Sequence, residues 1–176
     1  MKYFIILIFS YFSVAGMAQE KVNPVIKSFG GIYEIPEATV KPESDLEYKI
    51  VIDVYGGSEN KKKIDPSLNN VARMLNLHTV GGVSPDKMKV VLAIHGGSTF
   101  SILNDEVYKK KFGVTNPNSP LINELQEANV RLTVCGQSLM SRQIEAGQVN
   151  NNVEIATSML TTVTTHQLKG YAVLKF

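Results

Sequence analysis

The sequence is poor in the residues that most often carry out chemistry in proteins. Its 176 residues include one cysteine and three histidines, and no close-spaced pair supplies the ligands of a typical metal site. The single cysteine, Cys135, lies in a Cys-Gly-Gln sequence, which excludes the C-x-x-C motif of thioredoxin-like proteins. We therefore expect no metal, no cofactor and no dithiol chemistry.

Motifs for nucleotide binding and for serine hydrolysis are also missing. The chain has no G-x-G-x-x-G and no P-loop sequence, so nothing indicates a bound nucleotide. The run His95-Gly96-Gly97 resembles the oxyanion loop of some esterases. That loop requires a G-x-S-x-G elbow, whereas Ser138 is followed by leucine and methionine.

The chain has few charged residues of either sign. Charged residues make up 19% of the chain and the net charge is +2, which is too small to predict a nucleic-acid or anionic-membrane surface. The only basic runs are residues 61–63 and 109–111, which we interpret as solvated faces. No aromatic residues interleave with them as a platform for single strands would require. We expect no nucleic-acid partner.

A short apolar segment opens the chain. Lys2 precedes an apolar run over residues 3–14, and Gly16 and Ala18 match the small-x-small rule for cleavage after Ala18. Residues 1–18 are therefore expected to be a signal peptide, and the mature protein to be periplasmic or otherwise exported, without stable membrane insertion. In an oxidising compartment an unpaired cysteine is a reactive thiol, an intermolecular bridge or a buried inert residue.

The sequence does contain a regular alternation of strand and helix patterns. Residues 19–45 are irregular and predict an extended arm, and residues 46–176 predict one α/β domain. Strand patterns cover residues 48–54, 88–94, 130–135, 153–157 and 171–176. Two helix patterns open at Asp65-Pro66 and Ser119-Pro120, where a capping residue precedes a proline, and two more cover residues 105–112 and 160–169. This alternation predicts a three-layer α/β sandwich with a mostly parallel five-stranded sheet.

Ligands of open parallel sheets bind beyond the carboxyl ends of the strands. Four stretches follow predicted strands: Tyr55-Gly56-Gly57, His95-Gly96-Gly97-Ser98, Cys135-Gly136-Gln137-Ser138 and Ser158-Met159. Cys135 also precedes a predicted helix, whose partial positive charge and free amides favour a thiolate. Gly136 would let a substrate approach the backbone closely. His95 is a candidate general base or thiolate partner, and the alternative is that it caps a turn.

Several segments, taken in order, resemble the DsrE/DsrF-like family in its exported, single-domain bacterial form. They are GGIYEIPEATVKP, YKIVIDVYGG, SLNNVARMLNLH, MKVVLAIHGGS, LINELQEANVRLTVCGQSL and HQLKGYAVLKF. The resemblance runs from about Gly30 to the C-terminus. It implies a flavodoxin-like sandwich that assembles into homotrimers or homohexamers, in a family associated with sulfur oxidation and sulfur relay.

The resemblance also implies a site. In relatives, a cysteine corresponding to Cys135 carries sulfur as a persulfide. The hypothesis that follows is an exported sulfur carrier or sulfurtransferase, in which Cys135 bears the sulfur and His95 assists. A small sulfur-containing ligand, or a donor or acceptor protein, would contact Tyr55, Gly96, Gly97, Ser98, Gly136, Gln137 and Ser138. The alternative is a non-enzymatic oligomeric module that binds a small ligand and keeps Cys135 as a structural residue.

Overall fold

The computed structural model describes residues 19–176, so the expected signal peptide and its cleavage site lie outside the described residues. The elements are β1 (Tyr48–Val54), α1 (Pro66–Val80), β2 (Met88–Ile94), α2 (Asp105–Phe112), α3 (Ser119–Glu127), β3 (Arg131–Cys135), α4 (Gly136–Ser141), β4 (Glu154–Ala156), α5 (Met159–Leu168) and β5 (Ala172–Lys175). Short 3₁₀ turns cover Pro85–Lys87, Gly96–Phe100 and Ala146–Gln148. None of the described helices is long and apolar enough to cross a membrane.

The five strands form one sheet in the order β4-β3-β2-β1-β5, and every neighbouring pair is parallel. The predicted α/β fold and five-stranded sheet are thus confirmed. In the centre of the sheet, β2 reads MKVVLAI and is buried at all positions except Lys89. A nearly unbroken apolar run is what a parallel strand covered on both faces requires.

The two faces of the sheet carry different layers. Ile52 and Leu92 belong to the main core, together with the apolar stripe of α1 and the buried side of α3. Successive strand residues point to opposite faces, so Val51 and Val91, which are buried outside that core, face the other way. The connection from β4 to β5 returns across the sheet through α5, which contacts β1 and β2. A right-handed return places α5 on this second face.

The predicted helix starts are largely confirmed. Asp65 caps α1, with its Oδ1 accepting from the Ser67 amide at 2.9 Å, and Pro66 is the first helical residue. At α3 the structure differs by one position, because Asn118 takes the cap position and Ser119 lies inside the helix. The Asn118 side chain accepts from the Asp65 amide at 2.7 Å, so it joins two helix starts instead of capping its own.

Residues 19–45 lie over α1 and contain no helix or regular strand. The buried Asn76 side chain of α1 accepts hydrogen bonds from the amides of Val25 and Ile26, both at 3.0 Å. Its amide group donates to the carbonyl of Gly30 at 3.1 Å. Gly30 has a φ of +66°, and a Cβ there would lie 2.5 Å from the α1 backbone, so only glycine allows this close packing.

Candidate functional site

The four stretches singled out from the sequence lie at one edge of the sheet. Tyr55 follows β1, His95 follows β2, Cys135 ends β3 and Ser158 lies two residues beyond β4. Because these strands are parallel, their carboxyl ends meet at the same edge. The structure therefore brings together residues that are up to 103 positions apart in the sequence.

The thiol of Cys135 is buried but surrounded by hydrogen-bond donors. Cys135 is 4% exposed, and its Sγ lies 3.9 Å from the Ser158 Oγ. Burial acts to raise the pKa of the thiol. The backbone amides of Met159 and Ser138 and the hydroxyls of Ser138 and Ser158 act in the opposite direction and outweigh it. The net result is a pKa below that of an ordinary cysteine, because these donors stabilise the thiolate.

Two helix starts supply these donors. Ser138 lies in the first turn of α4, and Met159 is the first residue of α5. The sequence placed both at this edge but did not predict that Met159 donates to the thiol. Cys135 pairs with Ala156 across β3 and β4, and this pairing brings the start of α5 beside the thiol. Ser158 has a second role as the cap of α5, accepting from the Leu160 amide at 3.2 Å.

Gly136 is required by the packing of α4 against β4. A Cβ on this residue would lie 2.8 Å from the carbonyl oxygen of Ala156 and 3.4 Å from that of Thr157. The sequence analysis assigned Gly136 to the close approach of a substrate. In the structure, the group that approaches it is the backbone of the neighbouring strand.

An apolar groove of about 800 Å³ lies between α4 and the end of β4, and Gly136, the residue after Cys135, lines it. Gly136 and Gln137, both predicted to bind substrate, line it, whereas Ser138 does not and contacts the thiol instead. Met140 and Ile155 line the same groove and are 77% and 47% exposed. Exposed apolar side chains thus stand on a surface that begins one residue from Cys135.

The imidazole of His95 is paired with a carboxylate and not with the thiol. Its Nε2 lies 2.5 Å from Oδ1 of Asp53, and the other carboxylate oxygen of Asp53 lies 3.6 Å from the Lys175 ammonium. The Tyr55 ring packs against the imidazole, with centroids 5.1 Å apart. Ile94 on β2 pairs in register with Val134 on β3. His95 directly follows the first of these residues and Cys135 the second. His95 and Cys135 therefore lie at the ends of neighbouring strands, at the same edge of the sheet.

Sequence analysis missed Asp53 and Lys175 in this cluster. One signal was present, because Asp53 is the only charged residue in the otherwise apolar segment IVIDV. A charged residue in the middle of a buried strand needs a partner, which predicts a function or an ion pair. Lys175 carried no such signal, since only the return of β5 beside β1 brings it to Asp53.

The glycines after β2 hold the loops of β1 and β2 together. Gly96 has a φ of +56°, and a Cβ there would lie 2.4 Å from the Tyr55 ring. At Gly97 a Cβ would lie 2.2 Å from the carbonyl oxygen of Gly56, and its amide donates to the Tyr55 carbonyl at 2.8 Å. Ser98 is fully buried, and its hydroxyl has no hydrogen-bond partner among the described residues. Tyr55 is the exposed member of this group, at the rim of the edge.

The other two histidines serve their own helices. His78 Nδ1 lies 2.8 Å from the Met74 carbonyl, and His166 Nδ1 lies 2.7 Å from the Thr162 carbonyl. Within residues 19–176, no group of three or more His, Cys, Asp or Glu side chains could hold a metal ion.

The fold and the edge define a class: a parallel three-layer α/β protein with a thiol presented at the carboxyl end of its sheet. A model of the DsrE/DsrF-like family matches residues 49–176, and the chain belongs to that family. Among curated protein sequences no match was found.

Two solved structures share the fold. The protein of unknown function MTH1491 from Methanobacterium thermoautotrophicum is similar, with a TM-score of 0.55 and 15% identity, covering 73% of this chain and 99% of its own. The ychN protein from E. coli is also similar, with a TM-score of 0.50 and 20% identity over 73% of this chain and 99% of its own. At these identities the likeness concerns the fold.

Proposed function

We propose that the protein is an exported sulfur carrier in which Cys135 bears the sulfur as a persulfide. The observation that carries this proposal is the set of donors from α4 and α5 around a thiol whose pKa is lowered despite burial. Such an environment favours the thiolate, which is the form that attacks sulfur. Membership in a family associated with sulfur relay gives the reaction its class.

The chemistry needs no outside oxidant when the donor already contains sulfane sulfur. The thiolate of Cys135 attacks the outer sulfur of a polysulfide, a persulfide or thiosulfate. The new bond joins two sulfurs, and the old sulfur–sulfur bond breaks, releasing a shorter polysulfide, a thiolate or sulfite with its electron pair. An acceptor thiolate then attacks the outer sulfur of the Cys135 persulfide and releases the cysteine thiolate. The donors at the edge stabilise the negative sulfur before and after each step.

His95 is proposed to assist these steps as a proton donor or acceptor at the ligand. Asp53 fixes the imidazole at 2.5 Å, so the ring is oriented toward β1 and keeps one nitrogen for other partners. We propose that the small sulfur-containing ligand, or the sulfur-bearing end of a protein partner, occupies the groove lined by Gly136 and Gln137 and extends along the sheet edge toward Tyr55, which follows β1.

Assembly into a homotrimer or homohexamer is part of the proposal. Four large apolar side chains stand out of the α4, β4 and α5 surface: Met140, Ile155, Leu160 and Leu168. Apolar patches of this kind are often covered by another protein surface. Light scattering on the chain from Gln19 onward should give a trimer or hexamer, and a monomer across micromolar concentrations would contradict this assembly.

Export remains a separate proposal that rests on the apolar run, Gly16 and Ala18. Intact mass of the protein recovered from the envelope of the expression host should match a chain that starts at Gln19. A retained apolar segment would contradict cleavage.

A second candidate is the binding module with a structural cysteine. Cys135 is 4% exposed, and the residue after it lines an apolar groove. A packed thiol and a ligand pocket are both expected of a protein that binds a ligand without reacting with it. The two proposals differ in whether the thiol reacts.

The deciding experiment is mass spectrometry of the purified mature chain before and after incubation with polysulfide or thiosulfate. The sulfur carrier gains the mass of sulfur on the peptide that contains Cys135, and a reductant removes it. The Cys135→Ser chain is the control and should gain nothing. A wild-type chain whose thiol is free but takes up no sulfur would favour the binding module.

A further inference from the structure

The two basic runs, interpreted above as separate solvated faces, converge in the structure. Lys61 lies 6.0 Å from the centroid of the Phe100 ring and 5.6 Å from that of Phe112. Lys111 lies 5.3 Å and 5.8 Å from the same two centroids. The guanidinium of Arg142 lies 5.7 Å from the Phe100 ring. Three cations thus surround one aromatic pair, whose rings are 5.9 Å apart and nearly perpendicular.

This cluster carries positive charge that the described part of the chain does not neutralise. Within residues 19–176, no carboxylate lies at ion-pair distance from Lys61, Lys111 or Arg142. The aromatic faces and two carbonyl acceptors, on Ser58 and Ser138, offset part of the repulsion. Like charges this close still repel one another. An acidic surface that binds here would therefore be attracted to the cations and would also reduce the repulsion between them.

A groove of about 520 Å³ runs beside the cluster, between α2 and the segment that follows α4. We call this groove and the three cations the basic cleft. Leu103, Val107 and Ile144 give the groove apolar walls, and Lys110 adds a fourth cation. Glu106 is its single acidic residue. Apolar walls with a basic rim are complementary to a segment that alternates apolar and acidic side chains.

We propose that the basic cleft docks an acidic, amphipathic segment of the protein that exchanges sulfur with Cys135. The part about sulfur exchange rests on the proposed function. The geometry links the two places, because the first turn of α4 contacts the thiol and Arg142 directly follows the end of that helix. At 1.5 Å per residue the stretch from Gly136 to Arg142 is roughly 10 Å long. A partner held in the cleft can therefore present a thiol at the edge of the sheet.

A protein segment fits better than a nucleic acid. Phe100 and Phe112 are half-buried beneath the cations, so their faces are not open to stacking bases. The apolar walls of the groove would meet no equivalent surface on a phosphate backbone. The chain as a whole carries a net charge of only +2.

The test is fluorescence anisotropy of the mature chain with a labelled short peptide of alternating glutamate and leucine. Comparison probes are the same peptide with glutamine in place of glutamate, and a single-stranded oligonucleotide of similar length. The variant is Lys111→Glu with Arg142→Glu, and Lys111→Gln with Arg142→Gln is a milder form that preserves side-chain bulk. Lys41→Glu is the matched control, because Lys41 is an exposed lysine in the arm.

Wild type and the Lys41→Glu chain should bind the acidic peptide, more weakly as salt rises, and bind its glutamine form poorly. Charge reversal in the cleft should weaken binding by about tenfold or more, with the glutamine variant in between. The Cys135→Ser chain should bind normally, and cleft variants should still take up sulfur from polysulfide, so a failure here is distinct from failure of the sulfur carrier. Equal binding by the charge-reversed chain, or tighter binding of the oligonucleotide, would overturn the proposal.

Discussion

The carboxyl edge of the sheet has two halves that hold their reactive groups in different ways. At the β3–β4 half, amides and hydroxyls surround the Cys135 thiol, and no charged side chain of residues 19–176 is among the groups that shift its pKa. At the β1–β2 half, the His95 ring has a carboxylate partner, Asp53, which also contacts the Lys175 ammonium. The imidazole thus has a carboxylate partner within the chain, whereas the partners of the thiol are neutral donors that stabilise a negative sulfur.

With these separate partners, Cys135 and His95 do not form a thiolate–imidazolium pair. In such a pair the imidazolium is the main stabiliser of the thiolate. Here the stabilisers come from the first turns of α4 and α5, and the role proposed for the imidazole is at the ligand.

Replacement of Cys135 by serine should abolish sulfur uptake and alkylation, because a serine hydroxyl stays protonated near neutral pH. Thiol and hydroxyl have similar volumes, so the free energy of unfolding should change by no more than about 1–2 kcal/mol. The difference from wild type should itself depend on pH. Since the folded-state pKa of the thiol is lowered, the thiolate contributes stability above the unfolded-state pKa, and that contribution is lost as the pH falls through the folded-state pKa.

Urea unfolding at several pH values, together with intact mass after iodoacetamide, measures both effects. A serine variant that is still labelled would place the reactive group elsewhere.

Gly136→Ala should displace α4 from β4, because the new Cβ would lie 2.8 Å from the Ala156 carbonyl oxygen. We expect a loss of about 1–3 kcal/mol in the free energy of unfolding, as for other overpacked sites, and slower labelling of Cys135. Gly147→Ala is the matched control, since a Cβ there meets nothing within 4 Å. Its stability should stay within about 0.5 kcal/mol of wild type. Equal behaviour of the two variants would contradict the packing described for α4.

Ser158→Ala removes both the cap of α5 and the hydroxyl that pairs with the Cys135 sulfur, accepting from the thiol and donating to the thiolate. The pKa of Cys135 should rise toward its ordinary value, and the free energy of unfolding should fall by about 1 kcal/mol. Ser141→Ala is the control, because that exposed hydroxyl lies at the far end of α4 and donates to the Ser138 carbonyl. Labelling rates against pH, with urea unfolding, separate the two variants. An unchanged thiol pKa in Ser158→Ala would show that the Ser158 hydroxyl does not stabilise the thiolate and would leave the Met159 amide as the donor from α5.

His95→Ala should have the smallest effect on the thiol. The donors to Cys135 do not include the imidazole, so the pH dependence of labelling should stay close to that of wild type. Transfer of sulfur to an acceptor thiol should slow, because a proton donor at the ligand is lost. Asp53→Asn, which keeps the ring but removes its carboxylate, should slow transfer by a smaller factor. A rise in the thiol pKa of His95→Ala would instead make the imidazole a partner of the thiolate.

Much of the fold was predictable because it depends on local signals. Strand β2 is a continuous apolar run, and α1 begins with Asp65-Pro66, so periodicity and capping residues were sufficient. The position of Cys135 at the end of a strand and the start of a helix was predictable for the same reason. The Ser158-Met159 stretch was also placed at this edge, but its contact with the thiol was not predictable, because that contact depends on β4 pairing with β3 and on where the helix after β4 begins.

The basic cleft also depends on long-range packing and was not predictable from the sequence. Residues 61–63 and 109–111 read as ordinary solvated runs, since the sequence places no aromatic residue between their lysines. Phe112 directly follows the second run, and Phe100 lies apart from both runs in the sequence. The two rings meet where α2 packs against the turn after β2, and Lys61 reaches them from the loop after β1. Long-range convergence of this kind leaves no periodic trace in a single sequence.

The most direct test of the central claim is the rate of iodoacetamide labelling of Cys135 as a function of pH. Donors from α4 and α5 should hold the midpoint below about 8.5, the ordinary value for a cysteine thiol, and unfolding in urea should return it to that value. A midpoint in the folded chain at or above about 8.5 would show that the edge of the sheet does not activate the thiol. In that case the protein would be a binding module with a structural cysteine and not a sulfur carrier.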